Sequence, residues 1–317
     1  MKISICTITA RLGFAEYQAK MLANQTYKDI EWVLVDFGFE SRAKMIKDLS
    51  KELNLKIIHK PNVRNNDLIV RDISRNRNKA LALATGDAVI FLDDYAVIYP
   101  DFVENHLPIL KDNIISAGMM FRHEQIITDD LMKDVENTTS VNDLMEYDLK
   151  QDVRYRGEMS YRSKETYTGN LGIPRVVFET LNGFDPRLDG SLEDADLGMR
   201  ARLSNFESFF NPKPYTVNLY TGNKPYTYSF DHNHDVEPFV AGFANHFSGD
   251  VHSSGNDMLS IEFKDHYRIA HCKICGARAI VDGTELMYHK QEIGETKVPE
   301  GLPGGYDTLK KELLCQK

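Results

Sequence analysis

An α/β fold, with a mostly parallel sheet flanked by helices, is predicted for the first two thirds of this chain by three observations. Apolar strand-like runs alternate with helix-like segments, turn residues separate them, and acidic or hydroxyl residues close several of the strands. Lys2–Thr9 is a β-branched run that reads as the first strand, with Phe14–Ala23 as the helix after it. Ile30–Asp36 repeats the strand pattern, Arg42–Leu53 is amphipathic, and Leu55–His59 is a third short strand. Asp72–Ala84, rich in Arg and Ala, reads as a helix that breaks at Gly86 before the strand Ala88–Asp93. Sheets of this kind bind ligands at the carboxyl ends of their strands, and Thr7–Thr9, Asp36 and Asp93–Asp94 all fall there.

Composition narrows the function classes. A chain of 317 residues with 42% hydrophobic content can bury a substantial core as one large domain with an appendage, or as two domains. It has no unbroken apolar run of the length a membrane span needs, and no secretory leader pattern precedes the first strand, so a cytoplasmic protein is expected. The formal charge of −9 disfavours general affinity for polyanions. Four cysteines are too few for a disulfide framework in a chain of this size, and Cys6 sits in a strand, where a buried reduced thiol is usual.

Several ordered motifs point further. They are Ser4-Ile5-Cys6-Thr7-Ile8-Thr9, Asn24-Gln25-Thr26-Tyr27-Lys28-Asp29-Ile30-Glu31, Arg77-Asn78-Lys79-Ala80 before Ala84-Thr85-Gly86-Asp87, and Phe91-Leu92-Asp93-Asp94. Thr168-Gly169-Asn170-Leu171, Gly183-Phe184-Asp185 and Glu193-Asp194 follow in the second half. Together they resemble the family-two glycosyltransferases, with the GT-A (Rossmann-like) nucleotide-sugar-binding fold, over Lys2 to about Asn211. Two places depart from the family pattern: Tyr95 stands where the acidic motif usually has its second carboxylate, and Phe37 follows Asp36 where a second acid is usual. Trp32 is the only tryptophan, which excludes the Gln-x-x-Arg-Trp signature of processive synthases and favours single-sugar transfer.

The resemblance implies an enzyme that moves one sugar from a nucleoside diphosphate, most often UDP, to an acceptor hydroxyl, with inversion. Asp194 is the implied catalytic base, at the start of a helix running to about Leu203. The alternative for Glu193, Asp194 and Asp196 is that first-turn acids only stabilise that helix. Thr7, Asp36, Arg77, Asp93 and Asn170 are the implied nucleotide-sugar contacts, with Arg77 able to fork onto phosphate or carbonyl oxygens. A divalent Mn²⁺ or Mg²⁺ would neutralise the leaving diphosphate, held by Asp94 with help from His232 and His234, which could equally be surface histidines of a polar loop.

Two regions stand apart. The segment from about 122 to 166 is acidic and then basic and aromatic (Arg154, Tyr155, Arg156, Tyr161, Arg162), a variable acceptor-side segment whose interleaved Tyr and Arg also suit a nucleic acid bearing a hydroxylated base. Residues 1–220 are expected to form the nucleotide-sugar-binding and catalytic domain and 221–317 a C-terminal extension. There Cys272 and Cys275, two residues apart before Gly276, read as a zinc knuckle that His289 and Cys315 could complete, stapling a small appendage; two unligated thiols are the alternative. Glu295–Tyr306, with its prolines and glycines, reads as an exposed connector. Two other function classes are carried alongside the transferase: a domain that binds nucleotide sugars without turnover, and a zinc-stabilised nucleic-acid-binding protein.

Overall fold

A computed structural model describes residues 1–9, 14–63, 73–126, 149–151, 166–188, 192–220, 259–264, 267–272, 278–282 and 284–315. The first half alternates β1 (Ile3–Thr9), α1 (Ala15–Ala23), β2 (Ile30–Asp36), α2 (Phe39–Glu52), β3 (Ile57–Pro61), α3 (Ile73–Leu83) and β4 (Ala88–Leu92). It continues with β5 (Ala96–Val97), α4 (Phe102–Lys111), β6 (Ile115–Ile126), β7 (Leu149–Gln151), β8 (Asn170–Pro174), α5 (Arg175–Leu181), α6 (Glu193–Leu203) and β9 (Ser208–Tyr220). The main sheet runs β3-β2-β1-β4-β8-β6-β9-β5, with β7 added against β6.

The strands β3, β2, β1 and β4 are parallel to one another, as expected, because they are joined through crossover helices. Beyond β4 the sheet is mixed: β8 is antiparallel to both β4 and β6, whereas β6 and β9 are parallel. An apolar strand buried on both faces looks the same in sequence whichever way it runs, so its direction is not legible there.

Both faces of the parallel half are covered. Alternate residues of β1, β2 and β4 divide between two apolar layers, Ile3, Ile5, Trp32, Leu34, Ile90 and Leu92 facing α1, α2 and α4. Cys6, Val33, Val35, Val89 and Phe91 face α3, α5 and α6 on the other side. Period-two alternation on strands with two covered faces produces the continuous apolar runs seen in the sequence. Burial pushes the Cys6 thiol far up, so it is an inert core residue.

The chain's last described portion comprises a three-stranded antiparallel sheet, β10 (Leu259–Lys264), β11 (Tyr267–Cys272) and β12 (Arg278–Asp282), then α7 (Thr284–Ile293) and α8 (Tyr306–Cys315). The link between α7 and α8, expected as an exposed connector, is partly built into the main core. Val298 is buried, its N–H donates to the Leu181 carbonyl (3.1 Å), and the Val298 carbonyl accepts from Asn182 Nδ2 (3.0 Å). Arg75 and Asn78 of α3 donate to the Pro303 and Gly304 carbonyls at 2.6 and 3.0 Å, and Tyr306 joins the layer that covers α3 and α5. No described helix is long and apolar enough to cross a membrane.

Candidate active site

The parallel register sets Thr9 beside Asp36, and β4 ends next to them, so Asp93 and Asp94 share one edge of the sheet with both. Thr9 Oγ1 donates to Asp94 Oδ2 (2.7 Å), linking the first and fourth strands across that edge. Asp93 is tied by its backbone: its carbonyl accepts from Gln18 Nε2 (2.8 Å) and its N–H reaches the Gly169 carbonyl (3.4 Å). Its Oδ2 lies 3.4 Å from Asn218 Nδ2. A Cβ on Gly169 would stand 2.8 Å from Asp93 Oδ2 and 2.6 Å from Met120 Cε, so any larger residue there would push the ends of those side chains aside.

Two neighbouring carboxylates at a sheet edge fit a hard divalent ion that takes one or two protein oxygens and completes its shell with water and phosphate. Among the described residues no group of three or more His, Cys, Asp and Glu side chains is arranged around a common point. His232, His234 and Cys275 lie outside the described residues, as does the side chain of Cys272. His289 sits half-buried on α7 and Cys315 is an exposed free thiol at the end of α8.

Asp36, Thr7 and Asn170 are placed differently from the strand-end acids. The Asp36 carboxylate is fully buried, gripped by Arg42 Nε (2.8 Å) and Nη2, by the Gly38 N–H (2.6 Å) and by His59 Nε2 (2.8 Å). Burial pushes its pKa up, but these partners outweigh it and hold the carboxyl below the ordinary aspartate range. Thr7 Oγ1 faces the core and accepts from Trp32 Nε1 (3.1 Å). Asn170 ties β8 to its neighbours: both of its N–H groups are used, on the Met119 and Pro214 carbonyls (2.9 and 3.0 Å), and its Oδ1 accepts from His106 Nε2 (2.9 Å). Its amide is therefore occupied by the scaffold.

The second acidic station opens α6. Leu192 precedes it with φ of 64°, a left-handed conformation uncommon for a bulky residue, and no side chain caps the helix. Three carboxylates follow in the first turn. Glu193 pairs with Arg77 of α3, whose guanidinium also lies 5.6 Å from the Phe184 ring centroid. Asp196 accepts from Arg200 Nε and Lys290 Nζ, both at 2.8 Å. Asp194 differs: among the described residues no ion pair reaches it, and its Oδ1 accepts the Ala195 N–H (2.8 Å). Burial, and then the Glu193 charge, raise its pKa to about 6 against the opposing pull of Arg77.

A single segment joins the two stations. Thr166 Oγ1 donates to the Asp194 carbonyl (2.6 Å), and three residues later the Gly169 carbonyl receives the Asp93 N–H. Three residues of chain span at most about 10 Å, so this link ties the Asp194 backbone and the Asp93 backbone to the ends of one short segment. The Arg77-Asn78 and Gly183-Phe184 motifs also meet. Asn78 accepts the Phe184 N–H and donates to the Phe184 carbonyl (2.8 Å each), packed so closely that a Cβ on Gly183 would stand 2.4 Å from Asn78 Oδ1. Gly183 has φ of 69°, a further reason for glycine at that turn. Gln18 and Asn218 belong to this site and escaped sequence reading; Thr9 and Glu193 stood in its motifs, but their partners Asp94 and Arg77 are non-local.

Comparison with known proteins bears on the family and the fold. The glycosyl transferase family 2 model matches residues 19–163. A curated relative, the glucosyl-dolichyl phosphate glucuronosyltransferase of Haloferax volcanii, is 27% identical over 191 residues, covering 58% of this chain and 56% of the relative. Among solved structures, S. aureus TarS 1-349 in complex with UDP-GlcNAc has a TM-score of 0.50 at 16% identity, covering 69% of this chain and 59% of that one. The mannosyltransferase PcManGT of Pyrobaculum calidifontis, in complex with GDP-Man and Mn²⁺, has a TM-score of 0.44 at 18% identity, covering 68% and 56%. The chain thus spans a little over half the length of these proteins.

Proposed function

We propose that this chain, which belongs to glycosyl transferase family 2, transfers a single sugar from a nucleoside diphosphate sugar to an acceptor hydroxyl with inversion, using Asp194 as base. The observation that carries the reading is the difference among the three acids of α6. Glu193 and Asp196 are paired with cations, whereas Asp194, across the Thr166–Gly169 link from Asp93 and Asp94, has no ion pair among the described residues and a pKa of about 6. A carboxylate near that value is ionised at neutral pH and basic enough to take a proton late in the transfer. Had all three acids only stabilised the helix, nothing would require one to be left out of the ion pairs.

In the reaction we infer, the acceptor oxygen attacks the anomeric carbon from the face opposite the leaving group. As the new bond forms, the hydroxyl proton passes to Asp194 and the bond from the anomeric carbon to the diphosphate oxygen breaks. Asp93 and Asp94 would hold Mn²⁺ or Mg²⁺, and such an ion, when bound, neutralises charge building on the leaving diphosphate. Thr9 fixes the Asp94 carboxylate through a 2.7 Å hydrogen bond. With Asp36 engaged by Arg42 and His59, the nucleoside would border this buried cluster at the ends of β2 and β3.

UDP is the first nucleotide to test, since TarS, of the same fold, holds UDP-GlcNAc. The acceptor we favour is a saccharide hydroxyl, as the name of the Haloferax relative states for that protein. Calorimetric titration with UDP, GDP, CDP and dTDP, each with and without Mn²⁺, tests the proposal. Binding of one nucleotide that strengthens with the metal is expected; no binding of any would overturn it.

A further inference from the structure

Lys290 of α7 has no exposed surface, which for a lysine is rare unless its charge is matched. It lies between two fully buried carboxylates, pairing with Asp185 and, at 2.8 Å, with Asp196 Oδ1. The other Asp196 oxygen accepts from Arg200, whose remaining nitrogens donate to the Leu181 and Gly183 carbonyls (2.9 Å each). Asp185 also pairs with Arg187, which reaches Glu295 at 3.1 Å. Three cations thus meet three carboxylates in one connected network that joins α7, α6 and the turn after α5.

The network touches the helix that carries Asp194, two residues from it. No side chain caps the start of α6 and Leu192 is left-handed; its local bonds are the Asp196 N–H on the Leu192 carbonyl (2.9 Å) and the Ala195 N–H on Asp194 Oδ1 (2.8 Å). What anchors that turn is tertiary. Arg77 of α3 grips Glu193 on one side of Asp194 and Lys290 of α7 grips Asp196 on the other.

We infer that Lys290 is a positioning residue for sugar transfer: from α7 it clamps the first turn of α6 and so sets where the Asp194 carboxylate stands. The inference rests on the reading of Asp194 as base and adds that the segment following β10–β12 is part of the catalytic apparatus. Lys290 makes no contact with Asp93 or Asp94 in the network described, so its removal should disturb the base while sparing the nucleotide. Misplacing a reacting group by an ångström slows chemistry on the order of 100-fold.

The test uses the full chain as wild type, Lys290→Met, and the charge-balanced double variant Asp185→Asn with Lys290→Met. In the single variant Asp185 keeps Arg187 and Asp196 keeps Arg200; the double variant removes a cation and an anion together, so at least one folded protein lacking the clamp is available. Release of UDP from UDP-glucose and UDP-N-acetylglucosamine with Mn²⁺, water standing in for the acceptor hydroxyl and taking the sugar, gives kcat, and calorimetry gives the UDP Kd. We expect kcat to fall roughly 10- to 100-fold with the UDP Kd unchanged. Unchanged kcat in a folded variant, or kcat and UDP affinity lost in the same proportion, overturns the clamp. Wild type that binds UDP but releases none from either donor would instead overturn the transferase reading beneath it, and the clamp with it.

Discussion

Replacing Asp194 by Asn should make the protein more stable while stopping transfer. An aspartate ordinarily titrates at 3.8, and burial beside Glu193 holds this one at about 6. The folded protein therefore binds the proton more tightly than the unfolded chain does. At low pH, where both states hold it, Asp194 is neutral to stability in this respect; as pH rises through the folded value, keeping the ionised carboxylate in place costs the folded state up to about 3 kcal/mol at pH 8. By the same relation the cost at pH 5 is about half of that. Asn carries no charge at either pH and can still accept the Ala195 N–H, so Asp194→Asn removes the cost without orphaning that donor. For a chain of 317 residues, 3 kcal/mol corresponds to roughly 4 °C in Tm. Thermal and denaturant unfolding of wild type and variant at pH 8 and pH 5 is the assay. Stabilisation at pH 8 that shrinks toward pH 5 is expected; a destabilised variant, or an effect independent of pH, would refute the claim that Asp194 is ionised in an unfavourable site.

Other consequences can be checked on the same protein. Transfer should be limited by protonation of the base below about pH 6, so kcat should fall nearly tenfold for each further pH unit in a pH–rate profile. Arg77→Met leaves Glu193 buried without its cation and should cost on the order of 3 kcal/mol by denaturant unfolding. Gly183→Ala forces a side chain into a left-handed turn and against Asn78 Oδ1, and a loss of about 1–3 kcal/mol is expected in the same measurement. His106 is buried between Ser116 and Asn170 and burial lowers its pKa from 6.5 to about 4. It favours the folded state fully above 6.5, a contribution lost as pH falls through 4; pH-dependent unfolding of wild type against His106→Gln should show the difference narrowing over that window.

The parallel half of the fold was legible because its cause is local. Strands covered on both faces must be apolar throughout, and β1, β2 and β4 announce themselves in that way. The stations were legible for a related reason: Asp93-Asp94 ends a strand and Glu193-Asp194 begins a helix, so chain position and residue type suffice to mark them. What sequence does not carry is the choice of charge partners. Asp36 is engaged by Arg42 and His59, Glu193 by Arg77, and Asp196 by Lys290, and the last two pairs span 116 and 94 positions of sequence. Asn170 and Thr7 sit in recognisable motifs, yet one binds strands together and the other receives the Trp32 indole. The burial of Val298 and Tyr306 was hidden by a Pro- and Gly-rich composition that suits a loop wrapped on a core as well as an exposed one.

The central claim is that the diphosphate end of a nucleotide sits at Asp93–Asp94, across the Thr166–Gly169 link from Asp194. Crystals grown with UDP and Mn²⁺, and measured for the anomalous scattering of manganese, address it most directly. The expected result is a manganese peak in contact with an Asp94 oxygen, at the about 2.1 Å typical of hard divalent ions, with the UDP phosphates beside it. Manganese and UDP bound together elsewhere on the molecule would contradict it.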